Sequence, residues 1–140
     1  DADACATVAL YHDASEILTG DLPTPIKYHD DEIMSAYRRV EQIASEKLLT
    51  MLPVELRGAF EPVLTGDVVK QLRPIVKAAD KLSAHIKCVE ELKAGNNEFA
   101  SAEKQTLDAL HGYNMPEVEY FIEHFIPAFE KTLDELGSID

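Results

Sequence analysis

The chain has 140 residues, of which 46% are hydrophobic, and this combination excludes an intrinsically disordered protein. Its 26 acidic residues outnumber 13 Lys and Arg, giving a formal net charge of −13, so we expect no nucleic-acid polymer and no anionic membrane as a partner. No apolar run has the length of a membrane span, and the two cysteines, Cys5 and Cys88, are better explained as thiols in a reducing cytoplasm than as a disulfide.

Apolar residues recur at helical spacing along the whole chain, and no alternating pattern typical of a strand is present. We therefore predict an all-α fold, a single compact bundle of about six helices that forms one domain over residues 1–140. The predicted helices, in chain order, cover residues 2–19, 31–51, 54–64, 68–94, 97–111 and 116–136, with a loop over 20–30. We expect Pro74 to kink or split the fourth helix and Pro127 to kink the last one.

The chain begins with Asp1 rather than Met, and the apolar helical pattern starts at once. We expect no helix cap before this pattern. We interpret this start as a domain that is truncated at its N-terminus.

The segment from Tyr11 to Thr24, with the sequence YHDASEILTGDLPT, contains the strongest chemical pattern of the chain. His12 and Asp13 are adjacent, and Glu16 follows one helical turn later. If this part is helical, all three side chains can reach one pocket, because residues three and four apart share a helix face. Histidine and carboxylate are ligands that catalytic divalent metals prefer, so the segment predicts a metal site.

A second His-Asp pair, His29 and Asp30, shows that the dipeptide alone is weak evidence. It lies in a polar loop directly before a predicted helix, where Asp30 is a suitable N-cap. We therefore assign this pair a structural role.

Asp80 lies on the predicted helix 68–94, and the residues one turn away, such as Val76 and Ala84, are small and mostly apolar. A carboxylate buried in such a setting costs several kcal/mol unless it is paired or bound to a metal. A functional role is one interpretation. The other is an acid at the helix edge that pairs with Lys77 or Lys81.

Asp21 also has two interpretations. It follows Gly20 and precedes Leu22 and Pro23, so it can be a turn aspartate that caps its own backbone. The other interpretation is a carboxylate at the mouth of a pocket that accepts a hydrogen bond from a ligand hydroxyl.

Three longer stretches carry a resemblance to a known family: YHDASEILTGDLPTPIKY at 11–28, IVKAADKLSAHIKCVEELKAGNNEF at 75–99 and FIEHFIPAFEKTLDELG at 121–137. The sequence resembles the HD-domain phosphohydrolases, and among them the bacterial 5′-deoxynucleotidases of the YfbR type. The resemblance implies an all-α homodimer, and the reduced cysteines indicate a location in the cytoplasm. It implies a hydrolase that removes the 5′-phosphate from 2′-deoxyribonucleoside 5′-monophosphates with one divalent transition metal, such as cobalt or manganese.

By this resemblance, His12 and Asp13 match the central His-Asp pair of the metal site, and Asp80 matches its final Asp. Glu16 matches the catalytic acid one turn further on. The remaining matched residues line the sugar site, with Asp21 placed to bind the deoxyribose 3′-hydroxyl: Asp21, Leu22, Pro23 and Thr24. The family also has a first metal-binding His, a phosphate-holding Arg and an adjacent Trp upstream of the pair. This sequence starts after those positions and contains no Trp.

Two other hypotheses remain. One is another HD-type phosphohydrolase that acts on a cyclic nucleotide, a nucleoside triphosphate or guanosine tetraphosphate. The other is a helical module without catalytic activity that keeps these residues as scaffold.

Overall fold

The computed structural model describes residues 1–27 and 29–137, apart from the side chains of Thr24 and Leu133. These residues form helices and connections without a strand, so the predicted all-α class is confirmed. The helices are α1 (Ala2–Tyr11), α2 (Glu16–Thr19), α3 (Thr24–Lys27), α4 (Asp31–Met51), α5 (Val54–Leu64), α6 (Asp67–Lys93), α7 (Ala100–His111), α8 (Pro116–His124), α9 (Ile126–Glu130) and α10 (Leu133–Gly137). A 3₁₀ turn, Asn97–Phe99, precedes α7.

Contacts between backbone segments divide the chain into two compact units, Asp1–Val76 and Lys77–Asp140. The boundary lies inside α6, which continues through Pro74 as one helix. Each unit is described by itself.

The first unit is organised around α4, which contacts α2, α3 and α5. This helix has its predicted bounds. Asp30 caps its start, because the Asp30 carboxylate accepts a hydrogen bond of 2.8 Å from the Ile33 amide. Helix α1 packs on α5, where the rings of Tyr11 and Phe60 meet edge to face with centroids 5.6 Å apart.

The prediction of one continuous helix over residues 2–19 is wrong. This stretch is divided into α1 and α2 by a turn over residues 12–15. The expectation that no cap precedes α1 is also wrong, because the Asp1 carboxylate accepts a hydrogen bond of 3.0 Å from the Ala4 amide. The division has a local cause. The Ala9 carbonyl would accept from the Asp13 amide in a continuous α-helix, but it accepts from the His12 ring at 2.6 Å and from the His12 amide at 3.5 Å.

The second unit has a core of Ala78 on α6, Leu110 on α7 and Val118 on α8, and all three side chains are buried. The predicted last helix, residues 116–136, forms three shorter helices rather than one kinked helix. Helix α8 ends at His124 because Pro127, in the first turn of α9, has no amide hydrogen to donate to the preceding turn and crowds its carbonyl. Over the described residues, no helix is long and apolar enough to cross a membrane.

Candidate active site

The turn that divides α1 from α2 carries the predicted metal-binding pair. His12 is the C-cap of α1 and keeps a right-handed helical conformation, with φ −61° and ψ −31°. The following amides bond to carbonyls three residues back: Ala14 to Tyr11 and Glu16 to Asp13, at 3.0 and 2.9 Å. Such a pattern aligns residues three apart, so Asp13 and Glu16 share a face, and the charge of Asp13 acts on Glu16.

The hydrogen bonds of the His12 ring determine which nitrogen is available to a ligand. Nδ1 lies 2.6 Å from the Ala9 carbonyl oxygen, and a carbonyl only accepts, so Nδ1 carries the proton and donates. Nε2 then points to Asp13, with 2.9 Å between Nε2 and Oδ2. A histidine that donates its other ring N–H to a backbone carbonyl is the usual arrangement of a metal ligand, since that bond fixes the tautomer.

The chemistry of this pair suits a divalent cation. His12 Nε2 and Asp13 Oδ2 lie 2.9 Å apart, an ion-pair distance, so the turn brings one nitrogen and one carboxylate oxygen together. These are two of the ligand types that such metals prefer. The two side chains are 34% and 58% exposed, so solvent and ligands can reach them.

Glu16 differs electrostatically from an ordinary surface glutamate. Partial burial and then the negative charges of Asp13 and Asp21 raise the pKa of the Glu16 carboxyl, while the nearby Lys27 partly opposes the rise. Glu16 therefore lies within electrostatic reach of both the predicted metal pair and the predicted sugar segment. A carboxyl with a raised pKa holds a proton to higher pH and is suited to general acid–base chemistry.

The predicted sugar segment follows α2. Gly20 has φ 70° and ψ 164°, a conformation that side chains with a Cβ avoid, and it turns the chain out of the helix. Asp21 and Pro23 are exposed and Leu22 is half-buried, so the segment offers its polar and apolar groups to solvent. The Pro23 carbonyl accepts from the Ile26 and Lys27 amides, at 2.8 and 3.0 Å, and so starts α3 at Thr24.

Asp80 lies on α6 in the second unit, and its side chain is exposed. Burial therefore gives no argument for a functional role of Asp80, and its assignment as a metal ligand stays a prediction. Among the residues described within each unit, no three His, Cys, Asp or Glu side chains are grouped so that they could hold a metal. His12 and Asp13 are brought together in the first unit, and the complete ligand set with Asp80 stays a prediction.

Two residues on α4 bind the segment 20–27. Neither of them was predicted from the sequence to belong to the site. The Tyr37 hydroxyl donates a hydrogen bond of 2.9 Å to the Gly20 carbonyl, and Glu41 forms an ion pair of 2.7 Å with Lys27. The available signal was the spacing of Tyr37 and Glu41, which places both on one helix face.

Comparison with known proteins decides the family. The model of the family described as 5′-deoxynucleotidase YfbR-like matches residues 1–129. The chain belongs to this family.

Curated relatives of this 5′-deoxynucleotidase YfbR-like chain agree. The chain is 47% identical over 137 residues to a protein of Vibrio vulnificus named 5′-deoxynucleotidase, and the match covers 97% of this chain and 71% of the relative. A 5′-deoxynucleotidase of Erwinia tasmaniensis is 48% identical over 133 residues, covering 94% and 67%. One from Klebsiella pneumoniae is 46% identical over 137 residues, covering 97% and 69%. The family match includes the turn at 12–15, the segment at 20–24 and Asp80.

Proposed function

We propose that the protein is a metal-dependent phosphomonoester hydrolase that removes the 5′-phosphate from 2′-deoxyribonucleoside 5′-monophosphates. Membership of the YfbR-like 5′-deoxynucleotidase family supports the reaction. The observation that carries the proposal is the pairing of His12 Nε2 with Asp13 Oδ2, beside a glutamate whose pKa is raised. We further propose that residues 1–140 form one HD phosphohydrolase domain.

We assign the metal to His12, Asp13 and Asp80, with one divalent transition metal such as cobalt or manganese. His12 would contribute Nε2, because Nδ1 is engaged with the Ala9 carbonyl. A cation held there supplies Lewis acidity toward a phosphate oxygen and lowers the pKa of a water molecule. It also provides the positive charge that a strongly acidic chain otherwise lacks near a phosphate dianion.

Glu16 is the proposed catalytic acid–base. In the reaction, a water oxygen bonds to phosphorus, the bond from phosphorus to O5′ breaks, and O5′ takes up a proton. The Glu16 carboxyl would deliver that proton or order the attacking water, because burial and neighbouring negative charges raise its pKa above the usual glutamate value and so toward the range of general acid–base chemistry. Its shared face with Asp13 would direct it toward the metal side of the substrate.

Asp21, Leu22, Pro23 and Thr24 are proposed to bind the sugar. The exposed Asp21 carboxylate would accept a hydrogen bond from the 3′-hydroxyl. Pro23 has a fixed φ, so it stiffens the wall that a 2′-hydroxyl would have to pass. Rejection of ribonucleotides would then come from a steric clash together with a polar contact that orients the sugar.

The test is phosphate release by the full-length protein that carries this sequence, with dAMP, dTMP and AMP as substrates and cobalt or manganese added. We expect deoxynucleotides to be hydrolysed faster than AMP, and Asp80→Asn to remove both activity and stoichiometric metal. Glu90→Gln, another exposed acid of α6, is the matched control and should keep both. Equal rates on dAMP and AMP would contradict the sugar assignment.

The same preparation tests the other hypotheses. Faster turnover of a cyclic nucleotide, a nucleoside triphosphate or guanosine tetraphosphate would replace the proposed substrate. Purified protein without activity and without stoichiometric metal would favour a helical module that is not catalytic.

Assembly and location complete the proposal. We propose a homodimer, which the exposed aromatic rings of Tyr120 and Phe125 support, at 59% and 49% exposure. Light scattering at micromolar concentration should give twice the chain mass, and a monomer there would contradict this. We also propose that the enzyme acts in the cytoplasm, where deoxyribonucleoside monophosphates are found.

A further inference from the structure

One face of α4 fastens the segment that precedes and includes α3 at two points. The Tyr37 hydroxyl donates a hydrogen bond of 2.9 Å to the carbonyl oxygen of Gly20. One helical turn later, Glu41 Oε1 lies 2.7 Å from Lys27 Nζ, and these two side chains are only 21% and 23% exposed. The two attachments are connected, because Lys27 Nζ also lies 4.7 Å from the centroid of the Tyr37 ring. We call Tyr37 and Glu41 the α4 latch.

The attachments bracket the short stretch that the proposed function assigns to the sugar. Gly20 lies directly before Asp21, and Lys27 lies at the end of α3. Asp21, Leu22 and Pro23 have no helical backbone, and α3 has only four residues. A helix this short is not stable by itself, so the position of the stretch depends on contacts with the rest of the unit.

The Gly20 carbonyl is the attachment point nearest to Asp21. It also accepts a hydrogen bond of 2.9 Å from the Thr19 hydroxyl, but Thr19 is part of the same segment and moves with it. The Tyr37 hydroxyl, in contrast, connects this carbonyl to a helix of 21 residues. A side chain that must orient a ligand needs such support from a rigid element.

We propose that Tyr37 is a positioning residue: through its hydrogen bond to Gly20 it holds Asp21 where that carboxylate meets the 3′-hydroxyl of the deoxyribose. Glu41 supports the same segment from its other end through Lys27. The inference rests on the proposed function and extends it to a residue outside the segment that touches the substrate.

The size of the effect follows from the interaction that is lost. Tyr37→Phe keeps the ring, and with it the contact to Lys27, and removes only the hydroxyl. Loss of one net hydrogen bond corresponds to about a threefold to tenfold change in an equilibrium. We expect kcat/KM for dAMP to fall by about that factor, mainly through a higher KM, because the phosphate end of the site is unchanged.

The decisive comparison uses 2′,3′-dideoxyadenosine 5′-monophosphate, which lacks the 3′-hydroxyl. If Tyr37 acts through Asp21, Tyr37→Phe should lower kcat/KM for dAMP and change the value for the dideoxy substrate by less than about twofold. A purely structural role would lower the active fraction of the enzyme and so reduce both values equally. The ratio of the two values is therefore independent of how much variant protein folds.

Glu41→Gln is the second variant, because it weakens the other attachment point without touching Tyr37. It should change the same ratio in the same direction. Tyr113→Phe, at an exposed tyrosine that follows α7, is the matched control and should leave the ratio unchanged.

The failures of the two ideas are distinguishable. Wild-type protein that does not hydrolyse dAMP would end the proposed function, and the inference with it. Active wild-type protein with an unchanged ratio in Tyr37→Phe would overturn the positioning role alone. Equal losses on dAMP and the dideoxy substrate would overturn it as well.

Discussion

His12 Nε2 lies 2.9 Å from Asp13 Oδ2, while Nδ1 of the same ring donates to the Ala9 carbonyl. The second His-Asp pair of the chain is arranged differently, since the Asp30 carboxylate accepts from the Ile33 amide and caps α4. Identical dipeptides thus have different hydrogen bonds in the two places. In the first pair the carboxylate contacts the histidine ring. In the second pair the carboxylate accepts a hydrogen bond from a backbone amide.

The two histidines give a matched pair of variants. His12→Ala removes a proposed metal ligand, so we expect kcat/KM to fall by about a hundredfold or more and metal content to fall with it. His29→Ala removes an exposed loop histidine and should leave both unchanged. Steady-state kinetics together with metal analysis of the dialysed proteins provide the measurement. Full metal occupancy and activity in His12→Ala would contradict the ligand assignment.

Alanine substitutions of Asp30 and Asp13 should have different effects: the first should lower stability, and the second should remove activity. Asp30→Ala removes the N-cap of α4, so the free energy of unfolding should decrease by about 1 kcal/mol while kcat/KM per folded molecule is retained. Asp13→Ala should abolish activity. Urea denaturation of both variants, with chelator present, measures the change in the free energy of unfolding. An inactive Asp30→Ala protein that is fully folded would show that the second pair also serves the reaction.

The fold was more predictable from the sequence than the site. Helices α4 and α5 have their predicted bounds because local signals mark them: Asp30 caps one, and Pro53 precedes the other. The turn at 12–15 was missed because its cause is a side-chain contact, from the His12 ring to a backbone carbonyl, which apolar spacing does not reveal. The role of Tyr37 was missed for a similar reason, since its partner lies 17 residues away in the sequence.

Glu16→Gln tests the proposed acid–base. The amide keeps the shape of the side chain but cannot transfer a proton, so kcat should fall by about a hundredfold to ten-thousandfold. The metal content should stay unchanged, because Glu16 is not assigned as a ligand. A loss of kcat accompanied by an equal loss of metal would instead make Glu16 part of the metal site.

The same variant predicts a pH dependence of stability. Burial and the charges of Asp13 and Asp21 raise the pKa of Glu16 in the folded state above its value in the unfolded chain. Between these two pKa values the folded state binds more protons, so the contribution of Glu16 to the free energy of unfolding decreases as the pH rises through that window. At neutral pH, metal-free Glu16→Gln should therefore be more stable than the wild type.

This gain should disappear when the pH is lowered below the ordinary pKa of a glutamate, since the carboxyl is then protonated in both states. Denaturant titrations of chelator-treated protein at neutral and at acidic pH give the comparison. Glu46→Gln, at an exposed position of α4, removes one carboxylate elsewhere and is the control for net charge. A gain for Glu16→Gln that is the same at both pH values would contradict the electrostatic explanation.

Gly20 and Gly58 give the last prediction, because an added Cβ meets no atom within 4 Å at either position. The two sites differ in backbone conformation. Gly20 has φ 70° and ψ 164°, a region that residues with a Cβ adopt at a cost of about 1–3 kcal/mol. Gly58 lies inside α5, where alanine is favoured over glycine by about 0.5–1 kcal/mol.

Gly20→Ala should therefore lower the free energy of unfolding and Gly58→Ala should raise it, as thermal or urea denaturation will show. If the protein relieves the strain at residue 20 by moving the segment, KM for dAMP should rise in Gly20→Ala as well, because Asp21 is the next residue. Gly58→Ala should keep the wild-type KM. Gly20→Ala with unchanged stability and unchanged KM would contradict the prediction that residue 20 needs the positive φ of a glycine.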